Sequence, residues 1–184
     1  MNLPAPPDRE APQSAPEPLR IVVDANITLA MFLARRNPPA AASSKRLLLS
    51  LLSSSMLHWL WSPDILADYE HGAHAIENDV RIQRRAAFDR VGFEIFLAAL
   101  QLLPAVHVTA TTLRAARRRI NQAATERDRD LDDAIYLACA VDGKARLLTS
   151  EDSDILSLGK MYEEVEIVNW AGFVDELRQR QLLK

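Results

Sequence analysis

The sequence is poor in the features that mark secreted, membrane-spanning and zinc-binding proteins. Its 184 residues include a single cysteine, so neither an internal disulfide nor a pair of cysteine ligands can form. No apolar run reaches the roughly 18 residues that a membrane-spanning helix needs, and the N-terminus lacks the basic start and apolar stretch of a signal peptide. We therefore expect a cytoplasmic protein that does not enter a membrane.

An excess of basic charge is also missing. Acidic residues number 25 against 22 Lys and Arg, which gives a formal net charge of −3. This argues against a nucleic-acid binder with a basic surface overall, but it leaves a local patch open. Arg114 and the run Arg117–Arg119 could contact phosphates, or they could form a solvated helix face balanced by Glu126 and Asp128.

The order of apolar and polar segments predicts the fold class. Residues 1–18 are rich in proline and lack large apolar side chains, so we expect a disordered tail, with the folded domain over 19–184. Apolar segments predict strands over 19–23, 58–61, 104–108, 145–149 and 164–168. Helices are expected between them, over 40–55, 63–76, 111–127, 133–141 and 170–181. A helix or a single helical turn is expected over 27–35, and a long helical stretch with a break near Gly92 over 81–103. This alternation predicts an α/β three-layer sandwich with a mostly parallel central sheet of about five strands.

Carboxylates occur where predicted strands end or helices begin. They are Asp24, Asp132, Asp133, Asp152 and Asp154, while Asp68 and Glu70 lie one turn into a helix that follows another strand. Because the carboxyl ends of parallel strands lie at one edge of a sheet, several of these side chains should meet there. Converging carboxylates repel one another, and a hard divalent cation such as Mg²⁺ or Mn²⁺ relieves that repulsion. Such an ion can activate water for hydrolysis of a phosphodiester.

Each acid also has a structural interpretation. Asp132 and Asp133 stand at a helix start, and Asp152 or Asp154 could cap the helix that follows Thr149. Asp24 differs, because an acid that ends a buried strand has no local capping role. The sequence alone leaves capping and metal binding open for the others.

Four segments occur in the order of the motifs of PIN-domain nucleases. Residues 22–26 (VVDAN), 66–73 (LADYEHGA), 133–140 (DAIYLACA) and 147–152 (LLTSED) resemble those motifs. The best match is to toxin-type PIN proteins of bacterial toxin–antitoxin pairs. The resemblance implies a Mg²⁺- or Mn²⁺-dependent endoribonuclease, with RNA as substrate, a small antitoxin protein as partner and a homodimer. It also implies that Asp24, Asp68, Asp133 and Asp152 hold the metal and carry the catalysis.

Two positions depart from the family pattern. The second acid is usually Glu, whereas this chain has Asp68, and Glu70 lies about 200° further round the helix. The fourth motif has one extra residue, so Glu151 and Asp152 compete, and Asp152 fits the continuation Asp-Ser-Asp-Ile better. These departures keep a second interpretation open, a PIN-fold binding module with a degraded site. A phosphatase with Asp24 as nucleophile ranks last, because Asn26 stands where a second acid is expected.

Overall fold

Short strands rich in branched apolar residues build the central sheet of this computed structural model, which describes residues 17–35, 56–123 and 131–183. The five strands lie in the order β3-β1-β5-β7-β6. Their bounds are β1 Leu19–Val23, β3 Leu57–Trp59, β5 Leu147–Thr149, β6 Met161–Tyr162 and β7 Val165–Val168. Two further strands, β2 (Leu33–Arg35) and β4 (Ala86–Phe88), form a separate antiparallel pair.

Helices connect these strands. They are α1 Ala25–Ala30, α2 Pro63–Asn78, α3 Val80–Gln83, α4 Arg90–Gln101, α5 Ala110–Ala123, α6 Ala134–Asp142, α7 Ser153–Leu156 and α8 Trp170–Gln179. A 3₁₀ turn over Leu131–Asp133 leads into α6. In the described part of the chain, every helix is too short or too polar to cross a membrane.

Helices cover both faces of the sheet. In a strand, successive side chains point to opposite faces, yet Ile21, Val22 and Val23 of β1 are all fully buried. All three residues of β5 are buried as well. The pairs β3–β1, β1–β5 and β5–β7 are parallel, which confirms the predicted α/β fold with a mostly parallel sheet of five strands.

The start of α2 follows the sequence signal closely. The Ser62 side chain accepts a hydrogen bond from the backbone N–H of Ile65 at 3.3 Å, and Pro63 occupies the first helical position. Proline costs nothing there, because that N–H has no partner within a helix. The aromatic ring of Phe96 in α4 lies 5.2 Å from that of Trp59 in β3, so Trp59 belongs to the core. Cys139 is also fully buried, as expected.

Several local predictions were wrong. The helix or helical turn expected over 27–35 ends at Ala30, and the helical stretch expected over 81–103 with a break near Gly92 is divided earlier, into α3, β4 and α4. The break falls before Asp89, whose carboxylate accepts a bond from the Gly92 N–H at 3.0 Å and caps α4. Residues 104–108 form no strand, although the Val106 N–H donates to the Trp61 carbonyl at 2.7 Å.

A reversal of direction at the last edge of the sheet was also missed. β6 pairs with β7 antiparallel, and Glu163 adopts a positive φ of 52° in the turn between them. Three predictions lie outside the described residues: most of the tail over 1–18, the helix over 40–55, and the balancing acids Glu126 and Asp128.

Candidate metal centre

The site forms where the order of the strands reverses. β1 pairs with β3 on one side and with β5 on the other, so the connections leaving β1 and β3 run in opposite directions across the sheet. In open α/β sheets a crevice forms at the carboxyl ends of the strands at such a point. The N–H of Asp24, just after β1, donates to the Thr149 carbonyl at the end of β5 at 3.0 Å.

Asp24 is a buried carboxylate directly after β1. Its side chain accepts a hydrogen bond from the Ser150 hydroxyl, and only 4% of the residue is exposed. Burial raises its pKa from 3.8 to about 6, the hydrogen bonds from Ser150 and from the Asn26 and Ala25 N–H groups oppose this rise, and the charge of Asp152 adds to it. A bound cation would offset both the cost of burying this charge and its repulsion from Asp152.

Three further carboxylates form a group, and one of them, Asp152, lies close enough to Asp24 to raise its pKa. Asp133, Asp152 and Asp154 each offer an oxygen, and these oxygens all lie within 4.8 Å of one another. Asp152 also caps α7 by accepting a hydrogen bond from the Asp154 N–H at 2.6 Å. The same side chain therefore caps a helix and belongs to the acidic group. A donor set made only of carboxylate oxygens suits Mg²⁺ or Mn²⁺.

The Asp68 carboxylate is hydrogen-bonded to a tyrosine that also lies near Asp24. It lies partly buried on α2 and accepts a hydrogen bond from the phenol of Tyr136 on α6. Burial raises the pKa of the Tyr136 phenol far above its ordinary range, and the Tyr69 phenol and the carboxylates of Asp68 and Asp24 raise it further. Tyr136 therefore remains protonated and close to both acids, although Asp24 and Asp68 lie outside the 4.8 Å group.

The structure separates the competing acids of the fourth motif. The Glu151 carboxylate accepts a bond from the Trp170 N–H at 3.0 Å and so caps α8, whereas Asp152 joins the acidic group. The Asn26 side-chain oxygen accepts a long bond from the Glu151 N–H at 3.5 Å, which ties down the turn after β1. Asn26 thus links the turn after β1 to the turn after β5.

The competing acids of the other motifs also differ in position. Glu70 is exposed, and its charge contributes to raising the pKa of Arg90, after a larger effect from the hydrogen bond to Glu94. Asp132 is exposed, while Asp133 is partly buried. The acidic group includes Asp133 but neither Glu70 nor Asp132.

The remaining candidates lie apart from the acidic group. His71 and His74 are exposed, and within the described ranges neither belongs to a cluster of three metal-ligating side chains. Arg114, Arg117 and Arg118 line an open depression on α5 with Thr111. Arg119 instead donates to the Leu158 carbonyl at 3.2 Å.

Sequence reasoning missed two contributors to the site, Ser150 and Tyr136, and left a third, Asp154, outside the proposed ligand set. Ser150 gives no motif signal, because its role depends on β1 and β5 being neighbours. Asp154 is visible as the second acid of Asp-Ser-Asp at a helix start, but this pattern equally predicts a cap. Tyr136 follows Asp133 by three residues, which places both on one helix face, and that spacing could have identified it.

Comparison with known proteins agrees with this geometry. A family model for the PIN domain matches residues 20–154. The chain belongs to the PIN domain family. No curated protein matches the sequence significantly.

Solved structures share the fold of this PIN domain. VapBC2 from Rickettsia felis, determined bound to a DNA fragment from their promoter, aligns with a TM-score of 0.50 and 14% identity over 83% of this chain and 99% of that chain. VapC20 from Mycobacterium tuberculosis, a sarcin-ricin loop cleaving toxin, aligns with a TM-score of 0.49 and 19% identity over 79% of this chain and 98% of that chain. FitAcB from Neisseria gonorrhoeae aligns with a TM-score of 0.46 and 15% identity over 81% of this chain and 96% of that chain.

The raised pKa of Asp24 predicts a pH-dependent penalty in the metal-free protein. A carboxyl whose folded pKa lies above its unfolded value stabilises the fold only while protonated, so this contribution is lost as pH rises from 3.8 through about 6. At about 1.4 kcal/mol per pKa unit, ionisation of Asp24 should lower the free energy of unfolding by about 3 kcal/mol. Asp24→Asn should therefore match the wild type at pH 4 and exceed it by about that amount at pH 8.

Urea unfolding in EDTA at both pH values measures this difference. Asp175→Asn is the matched control, because that exposed carboxylate pairs only at the surface with Arg178 and should not reproduce the trend. An Asp24→Asn advantage of equal size at pH 4 and pH 8 would contradict the assignment of the penalty to Asp24.

Proposed function

We propose that this PIN domain is a Mg²⁺- or Mn²⁺-dependent endoribonuclease and the toxin of a toxin–antitoxin pair, acting in the cytoplasm. The observation that carries the proposal is the convergence of Asp133, Asp152 and Asp154, together with the effect of the Asp152 charge on the pKa of the buried Asp24. Four carboxylates at the switch point of a parallel sheet are costly without a cation and form a suitable ligand set with one.

The proposed ligands are Asp24, Asp68, Asp133 and Asp152, with Asp154 as an addition from the structure. When bound, a divalent ion supplies Lewis acidity that activates water and stabilises charge on the leaving oxygen of a phosphodiester. The protein's own part is to hold the carboxylates in place before substrate arrives. Ser150 and two backbone N–H groups orient Asp24, and the Asp154 N–H orients Asp152.

A PIN-fold binding module with a degraded site is the competing function. It draws support from the shorter side chain at position 68, where the family usually has Glu. Two observations support the enzyme: the Asp68 carboxylate accepts a hydrogen bond from Tyr136, whose phenol also lies within the field of Asp24, and the extra acid Glu151 is bonded to the first N–H of α8. The departures from the family pattern therefore leave the acidic group assembled.

Substitution of single acids tests the catalytic proposal. Asp24→Asn and Asp133→Asn should lower cleavage of a mixed RNA pool in Mn²⁺ by at least about 100-fold, because a metal contributes several kcal/mol to such a transition state. Both should also abolish the rise in melting temperature that Mn²⁺ gives the wild type. EDTA should stop wild-type cleavage.

Two neighbouring acids serve as matched controls. Glu70→Gln and Glu151→Gln remove one negative charge each from motifs two and four, yet should cleave RNA at nearly the wild-type rate. Wild-type cleavage by Asp24→Asn would refute the mechanism. A wild type that binds Mn²⁺ or RNA but cleaves nothing would favour the binding module instead.

We further propose a small antitoxin protein as partner, in a complex that contains a homodimer of this chain. The proposal rests on the resemblance of the four motifs to those of toxin-type PIN proteins. Purification of a tagged chain from its native host should yield a stoichiometric small protein, and light scattering should give a mass that includes two copies of this chain. Recovery of the bare monomer would remove the partner proposal without affecting the nuclease proposal.

A further inference from the structure

We propose that Tyr136 is a positioning residue that holds the Asp68 carboxylate at the metal site, in compensation for the short side chain at position 68. The proposal rests on the nuclease site proposed above, because it assigns Asp68 to the metal. It adds a residue whose hydroxyl touches a ligand rather than the metal or the substrate.

The position of Tyr136 links two of the acids directly. It lies on α6 three residues after Asp133, so both side chains project from the same face of the helix. The Tyr136 hydroxyl donates to Oδ2 of Asp68, which belongs to α2. One partly buried hydrogen bond therefore connects the helix that carries Asp68 with the helix that follows Asp133, and only 1% of Tyr136 is exposed.

A second buried tyrosine fixes the same helix to the sheet. Tyr69, the neighbour of Asp68 on α2, donates its hydroxyl to the carbonyl of Val23, the residue before Asp24. The rings of Tyr69 and Tyr136 lie 6.3 Å apart at an angle of 31°. The two tyrosines thus fix α2 against both β1 and α6, but only Tyr136 bonds a carboxylate.

The hydrogen bond to Asp68 leaves the acid able to bind a cation. The donor is an uncharged hydroxyl, so it orients one carboxylate oxygen without removing the negative charge, and the second oxygen keeps its lone pairs. Groups that orient metal ligands in this way typically account for about 10- to 100-fold in metal affinity. A side chain one methylene shorter than Glu has more need of such a partner, because its reach depends on the placement of its helix.

A double-mutant cycle on Mn²⁺ affinity separates positioning from simple packing. We expect Tyr136→Phe to weaken Mn²⁺ binding about 10- to 100-fold, measured by isothermal titration calorimetry without RNA. In an Asp68→Ala background the same change should have almost no effect, because its target is gone. Circular dichroism verifies that each variant is folded.

The other two tyrosines of the chain provide the matched controls. Tyr69→Phe removes an equally buried hydroxyl that bonds a backbone carbonyl and should lower the melting temperature more than it changes Mn²⁺ affinity. Tyr162→Phe, on the edge strand β6, should leave both unchanged. If Tyr136→Phe binds Mn²⁺ like the wild type, or weakens binding equally with and without Asp68, Tyr136 does not position Asp68.

The cycle also distinguishes this inference from the function on which it rests. A wild type that binds no Mn²⁺ would refute the proposed metal site itself. A wild type that binds Mn²⁺ and loses it on Asp24→Asn but not on Tyr136→Phe would keep the nuclease proposal and reject the role of Tyr136.

Discussion

The parallel pairing of β1 with β5 is the constraint on which the site depends. It places Val23 opposite Thr149, so the residues that follow these strands, Asp24 and Ser150, meet in a hydrogen bond. A slip of one residue would turn each side chain to the other face of the sheet. Every residue at the ends of both strands is buried, so packing in the core fixes the register. The positions of the acids therefore depend on core residues that do not belong to the site.

Some of the site could be predicted because local patterns determine it. Asp24, Asp133 and Asp152 stand at strand ends and helix starts, and the alternation of segments places those ends at one edge of the sheet. Asp68 was predicted only through the family resemblance, since a helix interior offers no such signal. The capping role of Glu151 was not predictable, because it depends on α8 lying beside the end of β5.

The fold shows the same division between local and non-local causes. β1 and the start of α2 are each determined by sequence signals that lie within a few residues of the element itself. The helix predicted over 81–103 fails because the three residues of β4 are held by pairing with β2, some 50 residues earlier in the sequence. A run of alanine and phenylalanine is compatible with either structure, and only the distant partner decides between them.

Uncharged donors explain how the acids can be held in place and yet remain available to a cation. Ser150 orients Asp24, and Tyr136 orients Asp68. An arginine or lysine in either position would fix the carboxylate more strongly, but it would supply the positive charge that the metal brings. A hydroxyl orients the carboxylate but leaves its negative charge in place. The carboxylates therefore repel one another in the metal-free protein, and the same charge remains available to bind the ion. The pKa of Asp24, raised to about 6 chiefly by burial and further by the charge of Asp152, shows that the bond from Ser150 offsets only part of the cost of this carboxylate in the metal-free protein.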